Sequence, residues 1–441
     1  MDFNKLKNEC FKAGIKDIEV YQVTSNEVSV STFNGAVDDN VICSKNEMYI
    51  RGVYNNHIAT IYTELDSDSE IENIINRIKS EASVIESNEP YFIYEGSNEY
   101  KTLVDVKHDY DDYTQADKIK LCQSLENYFK KNSIYVDTTS VALEVTEKAV
   151  SIKNTKGLNV SRKSKTALVY ADAVIKKDND VKNNGYYTFL DNLSDLNKDD
   201  YFNFVVKRSV DSINAKSIKS NKYPVVFENK QFSSLISCFL SMFSADAVNK
   251  KLSLLDSKLG KKVFGDNITI SDLPLCEKSY RKITFDDEGV ASLDTTVVLN
   301  GVLNSYLHNL KTARLFNTST TGNGFMNSDG VIDVAPTNLC FKTSDISFDE
   351  MIKDIKEGVF ITDLMGTHAG VNSVSGAFNL QSSGFMIENG RITKPVTLII
   401  VSGNIIDILN NVKCISNDFE VNGRVGSGSC YISSMQVSGN E

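Results

Sequence analysis

Tryptophan is absent from the 441 residues, and histidine is limited to His57, His108, His308 and His368. No two of these histidines are close in sequence, so a helix bearing a histidine pair at metal-binding spacing cannot be built. Proline occurs five times, and no low-complexity tail is present. No apolar run approaches the roughly 18 residues that a transmembrane helix needs. The opening stretch MDFNKLKNECFKAG lacks the basic-then-apolar plan of a secretory leader. Positive charge is also in deficit: 47 Lys and Arg face 58 Asp and Glu, a net −11. Nucleic-acid binding needs a basic face that displaces counterions from phosphates, so no nucleic-acid partner is expected, nor a membrane. The eight cysteines are scattered and form no Cys-x-x-Cys, which reads as reduced thiols in a cytoplasmic protein.

What is present is globular. Hydrophobic residues make up 41% and charged residues 24%, enough to bury a sizeable core. At about 150 residues per domain the length predicts two or three domains. Phe3, Leu6, Cys10 and Phe11 are spaced for a helix. Glu19–Val23 and Val28–Phe33 alternate as strands, with Ser25-Asn26 as a turn between them. Met48–Val53 and Ile58–Tyr62 flank Asn55-Asn56 as a second hairpin. Ile71, Ile74, Ile75 and Ile78 fall at i, i+3, i+4, i+7, an amphipathic helix. Ala116, Ile119, Cys122, Leu125 and Phe129 predict another. Val141–Val145 and Val150–Ile152 read as strands, then a Lys156-Gly157 turn, then Leu158–Val160 and Ala167–Ile175. Val205, Val206, Val210 and Ile213 mark a closing helix. Residues 1–220 thus predict an α+β region, an antiparallel sheet with packed helices, possibly as two subdomains split near 90–115. Ser217–Tyr223 reads as a linker or as an exposed loop inside one domain.

The texture changes at residue 221. Phe232, Leu235, Ile236, Phe239, Leu240 and Phe243 predict a helix that is apolar nearly all round, the mark of a buried domain centre. Asn300-Gly301 and Asn389-Gly390 each sit between apolar runs, a type I′ hairpin signal. Ser347-x-x-Glu350 is a capping box, opening a helix through Met351, Ile352 and Ile355 that Gly358 would close. Residues 221–441 therefore predict a β-rich, barrel-like domain around a central buried helix. Asp286-Asp287-Glu288 reads as a solvated turn, since it lacks the spaced oxygens of a calcium loop. Gly322-Asn323-Gly324 opens like a dinucleotide fingerprint but has Asn327 at the third glycine position, so it reads as a turn.

Several runs in the second half go together: FDDEGV (285–290), LNGVLNSYLHNLKTAR (299–314), STTGNG (319–324), TDLMGTHAGVNSVSGAF (362–378), GFMIENGRITKPV (384–396), SGNIIDIL (402–409) and SNDFEVNG (416–423). In order and spacing this half resembles the TldD/PmbA family, once called modulators of DNA gyrase and now regarded as peptidases. The first half is similar more weakly, through EVYQVTSNEVSV, FNGAVDD and the helix after Asp66. The resemblance implies one of two kinds of subunit. TldD carries His-Glu-x-x-x-His on the central helix, with a cysteine near the C-terminus completing a zinc site. PmbA, or TldE, lacks that motif and partners TldD.

This sequence is similar to the PmbA/TldE kind. In register with Asn249-Lys250-Lys251, the three motif positions fall on Ser237, Cys238 and Met242. A zinc peptidase uses about three protein ligands and lowers the pKa of a bound water to roughly 7. Serine and methionine are poor zinc ligands, and a thiol does not replace the glutamate that handles the proton. The resemblance therefore implies no metal on this chain and zinc in a TldD-type partner. It implies a non-catalytic subunit, dimeric and cytoplasmic, serving proteolysis of unfolded peptides. A stand-alone homodimeric peptide-binding or scaffold protein is the second reading, and an independent peptidase with an unusual metal or thiol site the third. Cys414 lies near the position of TldD's metal-binding cysteine, with a small buried hydrophobe as its other reading. Cys238 beside Ser237 has no neighbouring base to make it a nucleophile. His308 and the Gly366–Gly370 loop bearing His368 are candidates for lining a substrate or partner cavity. Where the family often has Pro and Asp after that loop, this chain has Ser373 and Ala377.

Overall fold

The computed structural model describes residues 1–86, 92–104, 106–327 and 329–440. The expected subdivision near 90–115 falls partly on residues 87–91 and 105, outside that set. The chain divides into two compact units. One holds Met1–Val210, Thr284–Ala291 and Phe325–Ile332; the other holds Asp211–Ile283, Ser292–Gly324 and Asp333–Glu441.

The first unit is a six-stranded antiparallel sheet with helices packed on it. Its elements are α1 (Phe3–Lys12), β1 (Ile18–Phe33), β2 (Ala36–Tyr54), β3 (His57–Thr63), α2 (Ile71–Ser83), α3 (Gln115–Asn132), β4 (Val136–Asn154), β5 (Asn159–Lys177) and β6 (Asp180–Leu190). The strand order is β3-β2-β1-β4-β5-β6. Leu6 and Cys10 of α1 pack with Ile71, Ile74 and Ile78 of α2 against Ile18, Ile50 and Ile61 of the sheet. The helical spacing read from the sequence marks the buried face of α2 and, at Leu6 and Cys10, that of α1, whereas Phe11 is exposed.

The strands are longer than the sequence pattern suggested. Ser25-Asn26 makes no turn: β1 runs straight through it, with Asn26 opposite Ser44 on one side and Glu147 on the other. Polar residues are no barrier where both neighbouring strands continue the ladder, and Ser44 Oγ donates to Asn26 Oδ1 at 2.7 Å. The reversal comes at Asn34-Gly35, with φ of 51° and 86°. Likewise the two strand segments expected within 141–152 are the single β4, and those within 158–175 are the single β5. The helix expected around Val205 and Val206 forms as Lys198–Tyr201, a π-helical Phe202–Lys207 and Arg208–Asp211.

Asp286-Asp287-Glu288 is not a solvated turn. All three residues are buried in the first unit. Asp286 accepts from the amides of Glu288 and Val290 at 3.0 and 2.9 Å. Asp287 pairs with Arg162 at 2.7 Å and accepts from the Met326 amide at 3.0 Å. Burial of a carboxylate is tolerated when its oxygens are filled this way.

The second unit is built on a closed barrel. Its strands are β7 (Asn221–Phe227), β8 (Glu357–Met365), β9 (Ala377–Glu388), β10 (Arg391–Asn404) and β11 (Cys430–Ser438). They run β10-β9-β8-β7-β11, and β10 pairs back onto β11. Only β7 and β8 are parallel, because the long connection between them carries the central helix, α4 (Asn229–Ser237). Side chains alternate across the wall: Val225 and Phe227 join the main core, while Val226 joins a second cluster with Phe360, Phe385 and Ile387. A second, smaller-stranded sheet runs Val302–Leu303, Thr295–Leu299, Ile270–Asp272, Leu339–Phe341, Val425–Ser427 and Glu420–Asn422. Ser217–Tyr223 is no free linker: Ser217 Oγ donates to the Leu398 carbonyl, Ser220 Oγ to that of Gly439, and β7 starts at Asn221.

Both Asn-Gly hairpins form, with φ of 48° and 77° at Asn300-Gly301 and 51° and 75° at Asn389-Gly390. The capping box at Ser347 and Glu350 forms too, but its helix stops at Ile352. Gly358 belongs to β8, where a Cβ would lie 2.8 Å from the Pro224 carbonyl oxygen.

Candidate functional site

Phe232, Leu235, Ile236, Phe239 and Phe243 are buried as expected, but the run Phe232–Phe243 is not one helix. α4 ends at Ser237, Cys238 caps it, and Leu240–Phe243 is a separate 3-10 turn. The cause is local. Ser237 Oγ donates to the Ser233 carbonyl at 2.8 Å, and Cys238 Sγ to that of Ser234 at 3.4 Å. Such back-bonding competes with the helix ladder. Phe232 stacks edge-on against Phe341 of the smaller sheet, with ring centres 5.3 Å apart. Phe239 meets Phe378 of β9 at 6.3 Å. The run therefore ties the small sheet to the barrel.

The three positions that the resemblance assigns to the motif occupy different environments. Ser237 is exposed, and its hydroxyl is engaged within the helix. Cys238 is half-buried, and burial pushes its thiol pKa up. Met242 is buried in the main core. Cys414 is opposite Tyr431 in the strand pairing and packs against the cluster of Val226, Phe360 and Phe385, which contains no residue of the α4 run. Burial raises its thiol pKa as well. One hydroxyl, one thioether and two protonated thiols in separate clusters are not a zinc donor set. Among the described residues, no group of three or more His, Cys, Asp and Glu is arranged to hold a metal.

A polar network absent from the sequence reading anchors the start of α4. Asp418 accepts from the Ser429 amide at 2.7 Å, from Ser429 Oγ at 2.6 Å and from Ser416 Oγ. The Asn229 side chain donates to the Asp418 carbonyl at 2.8 Å, and the Asn229 amide to Ser429 Oγ at 3.2 Å. The run SNDFEVNG was singled out for family likeness; its aspartate positions the central helix. Asp272 organises the smaller sheet in the same manner. It accepts from Asn323 at 2.6 Å and from the Thr337 and Asn338 amides at 3.1 and 2.7 Å. Burial raises its pKa despite these donors. Gly322-Asn323-Gly324 is a turn whose asparagine serves that carboxylate.

The two histidine candidates differ. His308 is buried, with its ring edge-on to Phe316 at 5.5 Å. Its amide donates to Thr321 Oγ1 at 2.7 Å, and its carbonyl accepts from the Thr320 and Thr321 hydroxyls at 3.1 Å each. Desolvation lowers its pKa, which favours neutral imidazole. His308 thus pins the 318–324 loop. His368 is exposed on the turn between β8 and β9. In that turn Gly366 has φ 77°, and its carbonyl accepts from the amides of Ala369 and Gly370 at 3.0 and 2.8 Å. Gly370 is required by close approach: a Cβ there would lie 2.2 Å from the Asn379 carbonyl oxygen. Those two amides are spent inside the turn, and the side chain of His368 is exposed.

Comparison with known proteins follows the same lines. Residues 220–439 match the family model of the PmbA/TldA metallopeptidase C-terminal domain, and residues 108–216 that of the central domain. A metalloprotease of Methanocaldococcus jannaschii is 26% identical over 426 residues, 92% of this chain and 90% of the relative. A metalloprotease PmbA homolog of Buchnera aphidicola is 28% identical over 288 residues, 65% of this chain and 62% of the relative. The crystal structure of a Thermotoga maritima protein, described as a candidate modulator of a DNA gyrase, shares 29% identity. It superposes with a TM-score of 0.91, covering 99% of this chain and 100% of the other. With both domain models matched in order along most of its length, the chain belongs to the PmbA/TldD family of metallopeptidase-related proteins.

Proposed function

We propose that this chain is the PmbA/TldE-like, non-catalytic subunit of a two-component metallopeptidase that acts on unfolded peptides. Its partner is a TldD-type subunit that carries the zinc. The observation that carries the reading is the fate of the three motif positions. Ser237 bonds its own helix, Cys238 is a half-buried thiol, and Met242 is a core side chain. The fold of the family is kept, and the positions that the resemblance assigns to the motif carry serine, cysteine and methionine, which suits a subunit whose task is to complete an enclosure and to position peptide near a partner's metal. The turn bearing His368 is the part of this unit we assign to that task. An obligate pair of this kind buries on the order of 2,000 Å² or more.

Affinity purification of the chain from its native cell, followed by metal analysis, tests the proposal. A stoichiometric second family member bearing His-Glu-x-x-x-His, with zinc in the complex and none in the isolated chain, is the expected result. Recovery of the chain as a homodimer alone would favour the stand-alone peptide-binding reading.

A further inference from the structure

The two faces of the six-stranded sheet are covered to different extents. Toward the Asn34-Gly35 hairpin, Val30, Leu143 and Val169 form one buried row across β1, β4 and β5, and Thr32, Val141 and Ala171 form the next. Helix α3 lies on this side, where the Thr32 hydroxyl donates to Glu126 Oε1 at 2.6 Å. Successive side chains of a strand point to opposite faces, so the residues between these rows belong to the other side. There the cover is partial. Tyr21, Val150 and Ile152 pack with Phe285. From Ser25 on to Phe33 in β1, and from Lys148 back to Ser140 in β4, the side chains of this face are half-buried or exposed.

The open part has a defined chemistry. One row reads Asp39, Ser31, Ala142, Tyr170 and Tyr187 from β2 to β6. In the next row Glu144 stands between Ser29 and Leu168, and in the one after that Glu27 is opposite Thr146. On the other side of the first row Asp172 is opposite Gly185. Serine and alanine keep the middle of the floor low, whereas Tyr170 and Tyr187, each 38% exposed, raise one wall. Tyr187 meets Phe189 edge-on, with ring centres 6.4 Å apart. The cations of this open part stand at its margins, Lys45 and Lys148 on either side of Ser25 at one end and Lys176 opposite Val181 at the other. Between them, and among the described residues, none of Glu27, Asp39, Glu144 and Asp172 is in an ion pair.

We propose that this face binds an extended peptide segment bearing lysine or arginine, which makes basic unfolded peptides the substrate class of the two-component peptidase. The substrate class rests on the function proposed above; the binding does not. From β2 to β6 the face spans four inter-strand spacings of about 4.8 Å, or roughly 19 Å, enough for about six residues of extended chain. The carboxylates attract the cationic heads of such a peptide. The exposed tyrosine rings take those heads, or the alkyl stems that carry them, against their π faces. The low floor of serine and alanine admits the peptide backbone between these groups. Partial burial raises the pKa of Asp172, and a cation bound beside it would favour the charged carboxylate.

Binding is measured on the full-length chain by fluorescence anisotropy. One labelled, unstructured probe peptide alternates Lys and Arg with Gly and Ser; a matched probe has Glu at the charged positions. The basic probe should bind about tenfold or more tightly than the acidic one, and its affinity should fall as salt rises. The double variant Glu27→Gln/Glu144→Gln should weaken it about threefold to tenfold. Glu72→Gln/Glu81→Gln, an equal loss of charge on α2, should leave it unchanged. Equal binding of the two probes would overturn the proposal. So would an equal loss in the two double variants, since the general acidity of the chain would then account for the binding. In the mixture with a TldD-type partner, the basic peptide should be cleaved faster than the acidic one. Tight binding of the basic probe with no cleavage by the mixture would sink the proposed function and leave the site standing. Cleavage by the mixture with no preference in binding or rate would sink the site and leave the function standing. Loss of probe binding in the mixture would assign the face to the subunit interface and overturn the substrate class.

Discussion

Phe239 shows how much of the central run is packing. It is fully buried against Phe378, so Phe239→Ala should cost about 3–5 kcal/mol in denaturant titration. A loss under about 1 kcal/mol would remove it from the core. Arg162 is a different case, because its value lies in Asp287. Arg162→Met leaves that carboxylate buried without its cation, at a cost of about 3–5 kcal/mol. Urea unfolding that gives the same midpoint as the parent would contradict the pairing. His308 makes stability depend on pH. Burial holds its folded pKa down, so the unfolded chain binds the proton more readily. Its contribution is complete above the unfolded value of about 6.5 and is lost as pH falls through the lowered folded value. Between about pH 7.5 and about pH 5, the unfolding free energy should fall less in His308→Gln than in the parent. Equal slopes would exclude this role.

At the scale of elements, local rules were legible where one element meets one turn. Asn-Gly at 300–301 and 389–390 and the Ser347–Glu350 capping box all form as their chemistry requires. Gly390 can be tested against Gly423, since both have positive φ. A Cβ at Gly390 would lie 2.4 Å from the Lys353 carbonyl oxygen, whereas one at Gly423 meets nothing within 4 Å. Gly390→Ala should therefore destabilise by about 1–2 kcal/mol more than Gly423→Ala, read as a difference in thermal or urea unfolding. What was not legible depended on distant partners. Strand β1 runs through Ser25-Asn26 because β2 and β4 continue on both sides. Asp287 is buried because Arg162 comes from 125 residues away. The apolar run Phe232–Phe243 announced its burial, but the end of α4 at Ser237 is set by serine and cysteine side chains bonding back to the helix. The candidate site was legible by type rather than by geometry. The chemistry of Ser237, Cys238 and Met242 could be read from the sequence, whereas the packing of Cys238 and Met242 in a different cluster from Cys414 could not.

At the scale of the whole molecule, the chain keeps two compact units and the domain order of its family, and its central helix ends in Ser237 and Cys238, with Met242 in the turn beyond. A subunit retained for contact and positioning should raise a partner's activity without having its own. Peptide cleavage is measured on three samples: this chain, a TldD-type partner, and their mixture, with an unfolded peptide as substrate. The account predicts no cleavage by this chain alone and chelator-sensitive cleavage by the mixture well above that of the partner alone. Robust chelator-sensitive cleavage by this chain alone, or equal activity of the partner with and without it, would contradict the account.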